Sequence, residues 1–328
     1  MERVKIFSHN DLDGVGCAIL AYLAFGRENV DVEYCNYDDV DDKVRELFAS
    51  DEPVYDLIYI TDISVNEETA KILNKQMIGP CLFDHHATAL WLNDYTWANV
   101  RVKDKGGVKT SGTMMFYRHL CNEGYFEKYS KAVCENIDQF AHVVRDYDTW
   151  KWKETESGVI CKLTNDLFHI YGREKFIDWA LDGIKDENNL FPHFNETDEL
   201  LLDNLQKEID IYVSVKDKQI KVFQDKFGYK CGVVFAERFV SELGNRLSEM
   251  HPELDYISMI DLGKGTVSYR TVKDGIDLGG EIAHSFGGGG HKKAAGSTID
   301  ETFSWGIIAE LFGEENDNVV MVSERSEL

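Results

Sequence analysis

The sequence predicts an α/β protein in which a parallel sheet forms an N-terminal domain and a smaller mixed α/β fold forms a C-terminal domain. Three observations support this fold class. Short β-rich runs alternate with amphipathic helical stretches over the first hundred residues, a pattern typical of parallel sheets. A long charged stretch without proline then divides the chain, and β-rich runs resume beyond it. A length of 328 residues also favours two domains.

The N-terminal domain is expected over 1–190. Its strands are predicted where β-branched and aromatic residues cluster, at 4–8, 30–37, 57–61 and 81–83. From about residue 111 to 190 the pattern is mainly helical, with Ser111 or Thr113 as a cap and apolar residues at helical spacing over 132–144.

A helical linker over 191–227 is expected next, because Leu, Ile and Val recur at helical spacing in the charged stretch 195–227. The C-terminal domain is placed at 228–315 and an acidic tail at 316–328. Within this domain, the strands are expected at 231–236, 256–260 and 266–271, and a helix is expected at 277–286. The active site is expected in a cleft between the two domains.

The composition excludes several classes of protein. A formal net charge of −24 opposes the wrapping of duplex DNA, so any nucleic-acid ligand is expected to be short. Seven cysteines stand singly, which disfavours a disulfide framework and a zinc ribbon. No long apolar run and no secretory signal pattern occur, so the protein is expected in the cytoplasm, without a membrane partner.

Polar residues follow three of the predicted N-terminal strands. His9, Asp11 and Asp13 alternate after the first strand, and alternate residues of an extended segment point to one side. Asp62 ends the third strand, and the segment 84–86, Asp-His-His, ends the fourth. Each motif alone is typical of a helix cap or a surface turn. Because ligands bind at the carboxyl ends of strands in open α/β sheets, their convergence predicts a metal site there.

The order His-x-Asp-x-Asp-Gly, Asp, Asp-His-His, Asp resembles the four motifs of the DHH phosphoesterase superfamily, which includes RecJ exonucleases, nano-RNases, cyclic-nucleotide phosphodiesterases and manganese pyrophosphatases. The match covers the whole chain and gives the N-terminal domain a DHH-type fold. It implies two divalent metal ions, of which Mn²⁺ is expected. By this resemblance His9, Asp11 and Asp62 surround one ion, and Asp13, Asp62, His85 and a fourth-motif aspartate hold the other.

The fourth motif lies in Arg-Asp146-Tyr-Asp148-Thr-Trp, and the spacing leaves both aspartates open as ligands. Asp146 is preferred because it ends the apolar helix in an Asp-x-Asp-x-Trp pattern like that of the nuclease branch. The alternative, Asp148-Thr, resembles the pyrophosphatases. Asp84 is expected to orient a histidine through its ring N–H, and His86 to donate a hydrogen bond or a proton to the phosphoryl group. The alternative for His86 is a purely structural role beside His85.

A glycine run, 287–290, precedes His291-Lys-Lys-Ala-Ala-Gly. Glycine backbones allow a ligand to approach closely, and their N–H groups can form an anion-binding nest. The run is similar to the signature of the DHH-associated C-terminal domain, whose arginine-bearing strand resembles the segment around Arg270. The resemblance implies that Arg270, Gly289, Gly290 and His291 grip a substrate phosphate or terminal nucleotide; an edge-strand surface arginine is the alternative.

The function expected from the resemblance is metal-dependent hydrolysis of short single-stranded oligonucleotides to nucleoside monophosphates. Three other enzyme activities stay open: a cyclic-nucleotide phosphodiesterase, a bisphosphate nucleotidase and a single-strand-specific exonuclease. A nucleotide-binding regulator without turnover is the alternative from another class, because fold alone does not establish activity. The sequence leaves the choice between RNA and DNA, the cleavage polarity and the formation of a homodimer open.

Overall fold

The computed structural model of the protein describes residues 2–49, 55–76, 79–155 and 158–300, together with Gly306 and Glu310. The chain forms two compact units, which divide between Leu202 and Asp203. The predicted acidic tail, 316–328, lies outside the described residues.

The N-terminal unit contains a parallel sheet, as the sequence predicts. Its described strands run in the order β2-β1-β3-β4-β5, and each pair of neighbours is parallel. Their bounds are β1 Val4–His9, β2 Val30–Cys35, β3 Leu57–Thr61, β4 Cys81–Asp84 and β5 Ala98–Val100. The sequence did not predict β5, because three residues carry too little pattern to identify a strand.

Helices cover both faces of this sheet. The bounds are α1 Leu12–Phe25, α2 Val40–Ala49, α3 Glu67–Leu73, α4 Gly112–Asn122, α5 Lys131–Asp148, α6 Val159–Tyr171 and α7 Arg173–Lys185. One core lies among β1, α1, α4, α5, α6 and α7, and a second core lies among the sheet, α2 and α3. With both faces buried, the functional side chains of the unit are left at the strand ends.

The predicted linker helix is shorter than expected. Helix α8 covers Glu196–Asp217, and strand β6, Lys221–Gln224, follows it within the predicted helical stretch. Asp198 is buried at the start of α8, where it accepts hydrogen bonds from Tyr171 and from the indole N–H of Trp179. The helical prediction over 218–227 is therefore wrong, because the helix ends at Asp217 and residues 221–224 pair with β7 as the edge of a sheet.

The C-terminal unit contains a mixed sheet in the order β10-β11-β9-β8-β7-β6, in which β7 and β8 are parallel and the other described pairs antiparallel. Helix α9, Val240–Met250, packs on β8 and β9. The predicted helix 277–286 is a π-helical turn, Leu278–Ala283, followed by one 3₁₀ turn. The remaining strands are β7 Lys230–Phe235, β8 Tyr256–Asp261, β9 Thr266–Arg270, β10 Gly289–Gly290 and β11 Ala294–Thr298.

All seven cysteines lie within the described residues and are free thiols. No helix among the described segments has the length and apolar character needed to cross a membrane.

Candidate metal centre

Side chains that could ligate metal ions gather at the carboxyl ends of three adjacent strands of the N-terminal unit. Strands β1, β3 and β4 are neighbours in the sheet, and they end at His9, at Thr61 just before Asp62, and at Asp84. Because the strands are parallel, their carboxyl ends share one edge. The sheet order therefore brings together residues that lie up to about 75 positions apart in the sequence.

The first group consists of His9, Asp11 and Asp62, whose ligand atoms lie within 4.8 Å of one another. The Nδ1 atom of His9 is 2.9 Å from Oδ2 of Asp11 and 3.8 Å from Oδ2 of Asp62. Asp11 is the N-cap of α1, where Oδ1 accepts the backbone N–H groups of Asp13 and Gly14 at 3.1 Å. Its other oxygen, Oδ2, faces His9.

The second group consists of Asp13, His85 and Asp148, also within 4.8 Å of one another. The Nε2 atom of His85 lies 3.6 Å from Oδ2 of Asp13 and 3.6 Å from Oδ2 of Asp148. The same nitrogen is 3.2 Å from Oδ1 of Asp62. Asp62 therefore lies against both groups, as the sequence expectation of a shared carboxylate requires.

The preference for Asp146 over Asp148 is not supported by the geometry. The Asp146 carboxylate points to Arg145, whose Nε and Nη2 lie 2.7 and 2.5 Å from Oδ1, and Lys151 Nζ is 3.8 Å away. Residues two positions apart on an α-helix are separated by roughly 200° around its axis, so Asp146 and Asp148 of α5 face opposite ways. Asp148, the last residue of α5, faces His85.

Helix α4 anchors Asp13. The Asp13 carboxylate, which is buried, accepts the backbone N–H of Gly112 at 2.6 Å and that of Thr113 at 2.9 Å. The Thr113 hydroxyl donates to the backbone carbonyl of Asp13 at 2.6 Å. Because the N–H groups in the first turn of a helix have no partner within the helix, they are suited to hold a buried carboxylate. These bonds orient Asp13 before any ligand arrives.

Asp62 has an unusual backbone conformation and an unpartnered side chain. Its φ of 58° places it in the left-handed region, where a non-glycine residue costs free energy. Its amide donates to the carbonyl of Phe83 at 2.9 Å. A Cβ on Gly112 would lie 2.6 Å from the Asp62 Cβ, so only glycine allows α4 to pack this closely. In this conformation Oδ2 of Asp62 faces His9 and Oδ1 faces His85.

The residues of the cluster fit divalent cations. Within the described part of the chain, both Asp62 oxygens and the Nε2 of His85 are buried without a hydrogen bond. Burial and the nearby carboxylates of Asp13 and Asp11 raise the pKa of Asp62 well above its ordinary value. The same causes raise the pKa of Asp148 to about 8. Such mutual repulsion is relieved by a cation, and a mixed imidazole and carboxylate set suits divalent transition metals.

Asp84 acts on the neighbouring histidines. Its Oδ1 accepts the backbone N–H of His85 at 2.7 Å and lies 2.7 Å from Nδ1 of His86, and its Oδ2 accepts the Ser64 hydroxyl. The carboxylate is 1% exposed. Its hydrogen bond raises the pKa of His86 and fixes the orientation of the ring. Asp84 therefore holds the His86 ring, and its expected orienting role in the reaction stays a prediction.

Tyr37, which the sequence reasoning missed, lies at the rim of the cluster. Its hydroxyl is 3.3 Å from Nε2 of His86, and its ring centroid is 5.3 Å from that of His9. Its side chain is nevertheless 60% exposed. A cavity of about 400 Å³, lined by Tyr37, His86 and Trp91 among others, opens beside it. The signal was available, because Tyr37 follows β2 at the same edge of the sheet.

The other residues that the sequence did not identify contact the candidate ligands but are not themselves members of the ligand groups. Ser64 follows Asp62 by two positions, and Gly112 and Thr113 begin α4. The sequence identified the start of α4 as a helix cap but gave no signal that its N–H groups meet Asp13. That contact joins positions about 100 residues apart, which no local pattern encodes.

The four expected substrate-binding residues of the C-terminal unit lie at one end of its sheet. In the antiparallel pairing of β9 with β11, Arg270 is opposite Ala294, and Gly289 and Gly290 pair with the residues that follow Ala294. His291 begins the turn between β10 and β11 and is exposed. The glycine run is therefore an ordered hairpin instead of a loose loop.

Arg270 is held in place but not saturated. Nη1 donates to the carbonyl of Tyr269 at 2.9 Å, and Nη2 donates to the Ser241 hydroxyl at 3.1 Å. Its Nε is buried without a partner among the described residues, and burial lowers the pKa of the guanidinium. A Cβ on Gly244 would meet the Arg270 side chain at 2.6 Å, so this glycine makes room for it.

Comparisons with known proteins agree with this architecture. No family model matches the chain. Oligoribonuclease NrnB of Bacillus subtilis (strain 168) is 37% identical over 313 residues, which cover 94% of this chain and 75% of NrnB. The solved structure of the pGpG-specific phosphodiesterase PggH from Vibrio cholerae gives a TM-score of 0.52 at 13% identity, covering 94% of this chain and 97% of that one. Manganese-bound exonuclease RecJ gives 0.52 at 15% identity, covering 94% and 89%.

The 37% identity to oligoribonuclease NrnB, together with the parallel sheet, the strand-end carboxylates and histidines and the separate mixed sheet, confirms the resemblance to the DHH phosphoesterase superfamily found in the sequence. Within that superfamily, the chain belongs to the family of oligoribonuclease NrnB.

Proposed function

We propose that this chain is a phosphodiesterase that uses divalent metal ions to hydrolyse short oligonucleotides to nucleoside monophosphates. The observation that carries this proposal is the pair of ligand groups that meet at Asp62. The similarity to oligoribonuclease NrnB, which extends over 94% of the chain, supports the same reaction. A cytoplasmic location, expected from the sequence, belongs to the same proposal.

The chain's own residues would hold two ions. His9, Asp11 and Asp62 would hold one, and Asp13, Asp62, His85 and Asp148 the other. When bound, such ions lower the pKa of water and stabilise negative charge on a phosphoryl group. Carboxylates supply charge and imidazoles supply nitrogen donors, a mixture that favours Mn²⁺ over Ca²⁺. The anchoring of Asp13 by α4 and the strained backbone of Asp62 keep these side chains in place before the substrate binds.

His86 is proposed to act on the phosphoryl group. Asp84 engages its Nδ1, which leaves Nε2 to point away from that carboxylate. Because the hydrogen bond to Asp84 raises the pKa of His86, the imidazole keeps a proton at Nε2 more readily than a free histidine does. That proton can be donated to a phosphoryl oxygen in place of the contact with the Tyr37 hydroxyl.

The substrate is proposed to be short. A net charge of −24 opposes an extended phosphate backbone. Arg270, Gly289, Gly290 and His291 would instead hold one terminal phosphate or nucleotide, because a guanidinium can bind phosphate through two parallel hydrogen bonds. The unpartnered Nε of Arg270 is consistent with that use.

The proposal is tested by hydrolysis of two-, five- and twenty-residue RNA and DNA oligonucleotides with Mn²⁺, with product masses identified. We expect the dinucleotide to be hydrolysed fastest and EDTA to abolish the reaction. Asp62→Asn should lower kcat by more than about a hundredfold, beyond the 10–100-fold typical of losing a group that only supports a ligand. Asparagine tolerates the left-handed region, so the backbone at this position should keep its conformation.

Asp38→Asn is the matched control, because Asp38 is an exposed carboxylate outside both ligand groups. Its turnover should equal that of the wild type. Metal-independent hydrolysis, or wild-type turnover in Asp62→Asn, would refute the proposed metal chemistry. Equal processing of the dinucleotide and the twenty-mer would refute the preference for short substrates.

A further inference from the structure

A second cavity of the N-terminal unit lies apart from the metal-ligating cluster. Its volume is about 510 Å³, within the roughly 300–1,000 Å³ range of small-molecule sites. It lies between α4 and the edge strand β5, and the segment 101–110 that joins them forms one wall. Phe83 of β4 lines it, whereas the next residue, Asp84, belongs to the cluster. Successive side chains of a strand point to opposite faces, so the two sites lie on different sides of β4.

The wall of this cavity is basic, although the chain is acidic overall. Arg101, Lys105 and Arg118 line it, with Asp104 as the one lining carboxylate among the described residues. The charge of Asp104 is already used. Its Oδ1 accepts backbone N–H groups of its own turn, and its Oδ2 pairs with Arg118 at 3.1 Å. Arg101 and Lys105 form no ion pair within the described residues, so the cavity presents uncompensated positive charge.

A buried hydroxyl without a partner is the second observation. Thr110 lines the cavity and is 2% exposed, and its Oγ1 makes no hydrogen bond to any described residue. An unsatisfied buried polar atom lowers the stability of a protein, and the position of this hydroxyl in a cavity wall suits a ligand that supplies the missing hydrogen bond.

The rest of the lining is suited to a planar, partly polar group. Phe83 and His119 lie with ring centroids 4.8 Å apart and tilted by 33°. Burial lowers the pKa of His119, which favours the neutral ring. The amides of Asn99 and Asn122 also line the cavity and offer both donors and acceptors. Aromatic surface together with amide groups is the chemistry that recognises a nucleobase.

We propose that this cavity is a binding site for a nucleoside monophosphate, separate from the metal-ligating cluster. The phosphate lies against Arg101 and Lys105, where the planar guanidinium can bind two of its oxygens. The base lies toward Phe83 and His119. Because Phe83 leads directly into the Asp84-His85-His86 segment and accepts the amide of Asp62, an occupied site contacts the strand that carries the ligands.

The test is calorimetric titration of the full-length protein in EDTA with GMP, AMP, guanosine and inorganic phosphate. The titrations are made in an Arg270→Ala background, which removes the proposed terminal-nucleotide contact of the C-terminal unit. There we expect one nucleotide to bind per chain and the added pair Arg101→Ala/Lys105→Ala to weaken binding at least about tenfold, as expected for lost hydrogen bonds to a charged group. Thr110→Val, which keeps the side-chain shape, should also weaken it. Lys103→Ala should not weaken binding, because this substitution removes the same charge from the same segment but Lys103 does not line the cavity.

The variant Asp62→Asn distinguishes binding in this cavity from binding at the cluster, because Asp62 does not line the cavity. It should bind the nucleotide with the affinity of the Arg270→Ala protein. If neither GMP nor AMP bound to the protein, or if the added pair Arg101→Ala/Lys105→Ala left their affinity unchanged, the proposal would be overturned. Loss of binding in Asp62→Asn would place the nucleotide at the cluster instead. Affinity for inorganic phosphate or guanosine equal to that for the nucleotides would contradict the assignment to a nucleoside monophosphate.

Discussion

In the proposed function, the carboxylate and histidine cluster of the N-terminal unit binds divalent cations and the glycine-rich hairpin of the C-terminal unit binds a phosphate, and the two regions are prepared for these ligands in different ways. The cluster uses buried charged side chains, each fixed by another element, as Asp13 is fixed by α4. In the hairpin, glycine residues have no side chain, so neighbouring backbone segments, or a ligand, can come close to their backbone atoms. A Cβ on Gly290 would lie 2.7 Å from the Cα of Ala295, whereas Gly289 has open space around it.

The difference has an energetic consequence. Buried carboxylates that repel one another are costly in the unliganded protein, and both the raised pKa of Asp62 and its strained backbone show this cost. The hairpin stores no such charge. Removal of one ligand from the cluster should therefore stop the reaction without unfolding the unit, whereas substitutions in the C-terminal unit should give graded losses.

The largest effect is expected at the end of α5. Asp148→Ala should lower kcat by more than about a hundredfold, because it removes one of the carboxylates facing His85. Asp146→Ala removes a carboxylate of similar exposure that pairs with the buried Arg145. Because Asp146 lies outside both ligand groups, kcat should stay within about threefold of the wild type, while the loss of a partner for a buried arginine should lower the stability of the protein. Steady-state kinetics with a dinucleotide and Mn²⁺ measures both kcat values. The reverse order would restore Asp146 as the fourth-motif ligand.

A smaller effect is expected at Arg270. Arg270→Lys keeps the charge but loses the planar fork, and Arg270→Ala loses both, so KM for a dinucleotide should rise in that order. For alanine the increase should be about ten to a hundredfold, corresponding to about 1.5–3 kcal/mol for hydrogen bonds to a charged group. Metal affinity should not change. Arg238→Ala, at an exposed ion pair with Glu208, is the control. An unchanged KM in both Arg270 variants would refute the gripping role.

The smallest effect is expected in the glycine hairpin. Gly290→Ala should lower the free energy of unfolding by about 1–3 kcal/mol, because its φ of 136° and its close contact with Ala295 both disfavour a side chain. Gly289→Ala should leave the stability near that of the wild type but raise KM, because the added methyl group occupies space reserved for the substrate. Urea denaturation and kinetics measure the two quantities. Equal destabilisation by both substitutions would contradict this division of roles.

The sequence predicted the strand ends well because the cluster depends on a general property of parallel sheets. Once β1, β3 and β4 were identified, His9, Asp62 and His85 had to approach one another. The helix pattern also bears on the fourth motif. Ile137, Phe140, Ala141 and Val144 form the buried stripe of α5, and Asp148 continues it four positions later. This periodicity favours Asp148, whereas the Asp-x-Asp-x-Trp pattern favours Asp146.

Other features could not be predicted because they depend on contacts between distant segments. The anchoring of Asp13 by α4 and the close packing of Gly112 on Asp62 require the final arrangement of the unit. The end of α8 was misplaced for a related reason. Residues 221–224 have exposed side chains and become a strand only because β7 is available for pairing.

The most direct test of the metal centre is a crystal structure of the protein grown with Mn²⁺, with anomalous diffraction recorded at the manganese edge. Two anomalous peaks are expected. One should lie among His9, Asp11 and Asp62, and the other among Asp13, His85 and Asp148, with Asp62 contacting both and Asp146 contacting neither. A single peak, or none at saturating Mn²⁺, would contradict the two-ion site on which the proposed reaction depends.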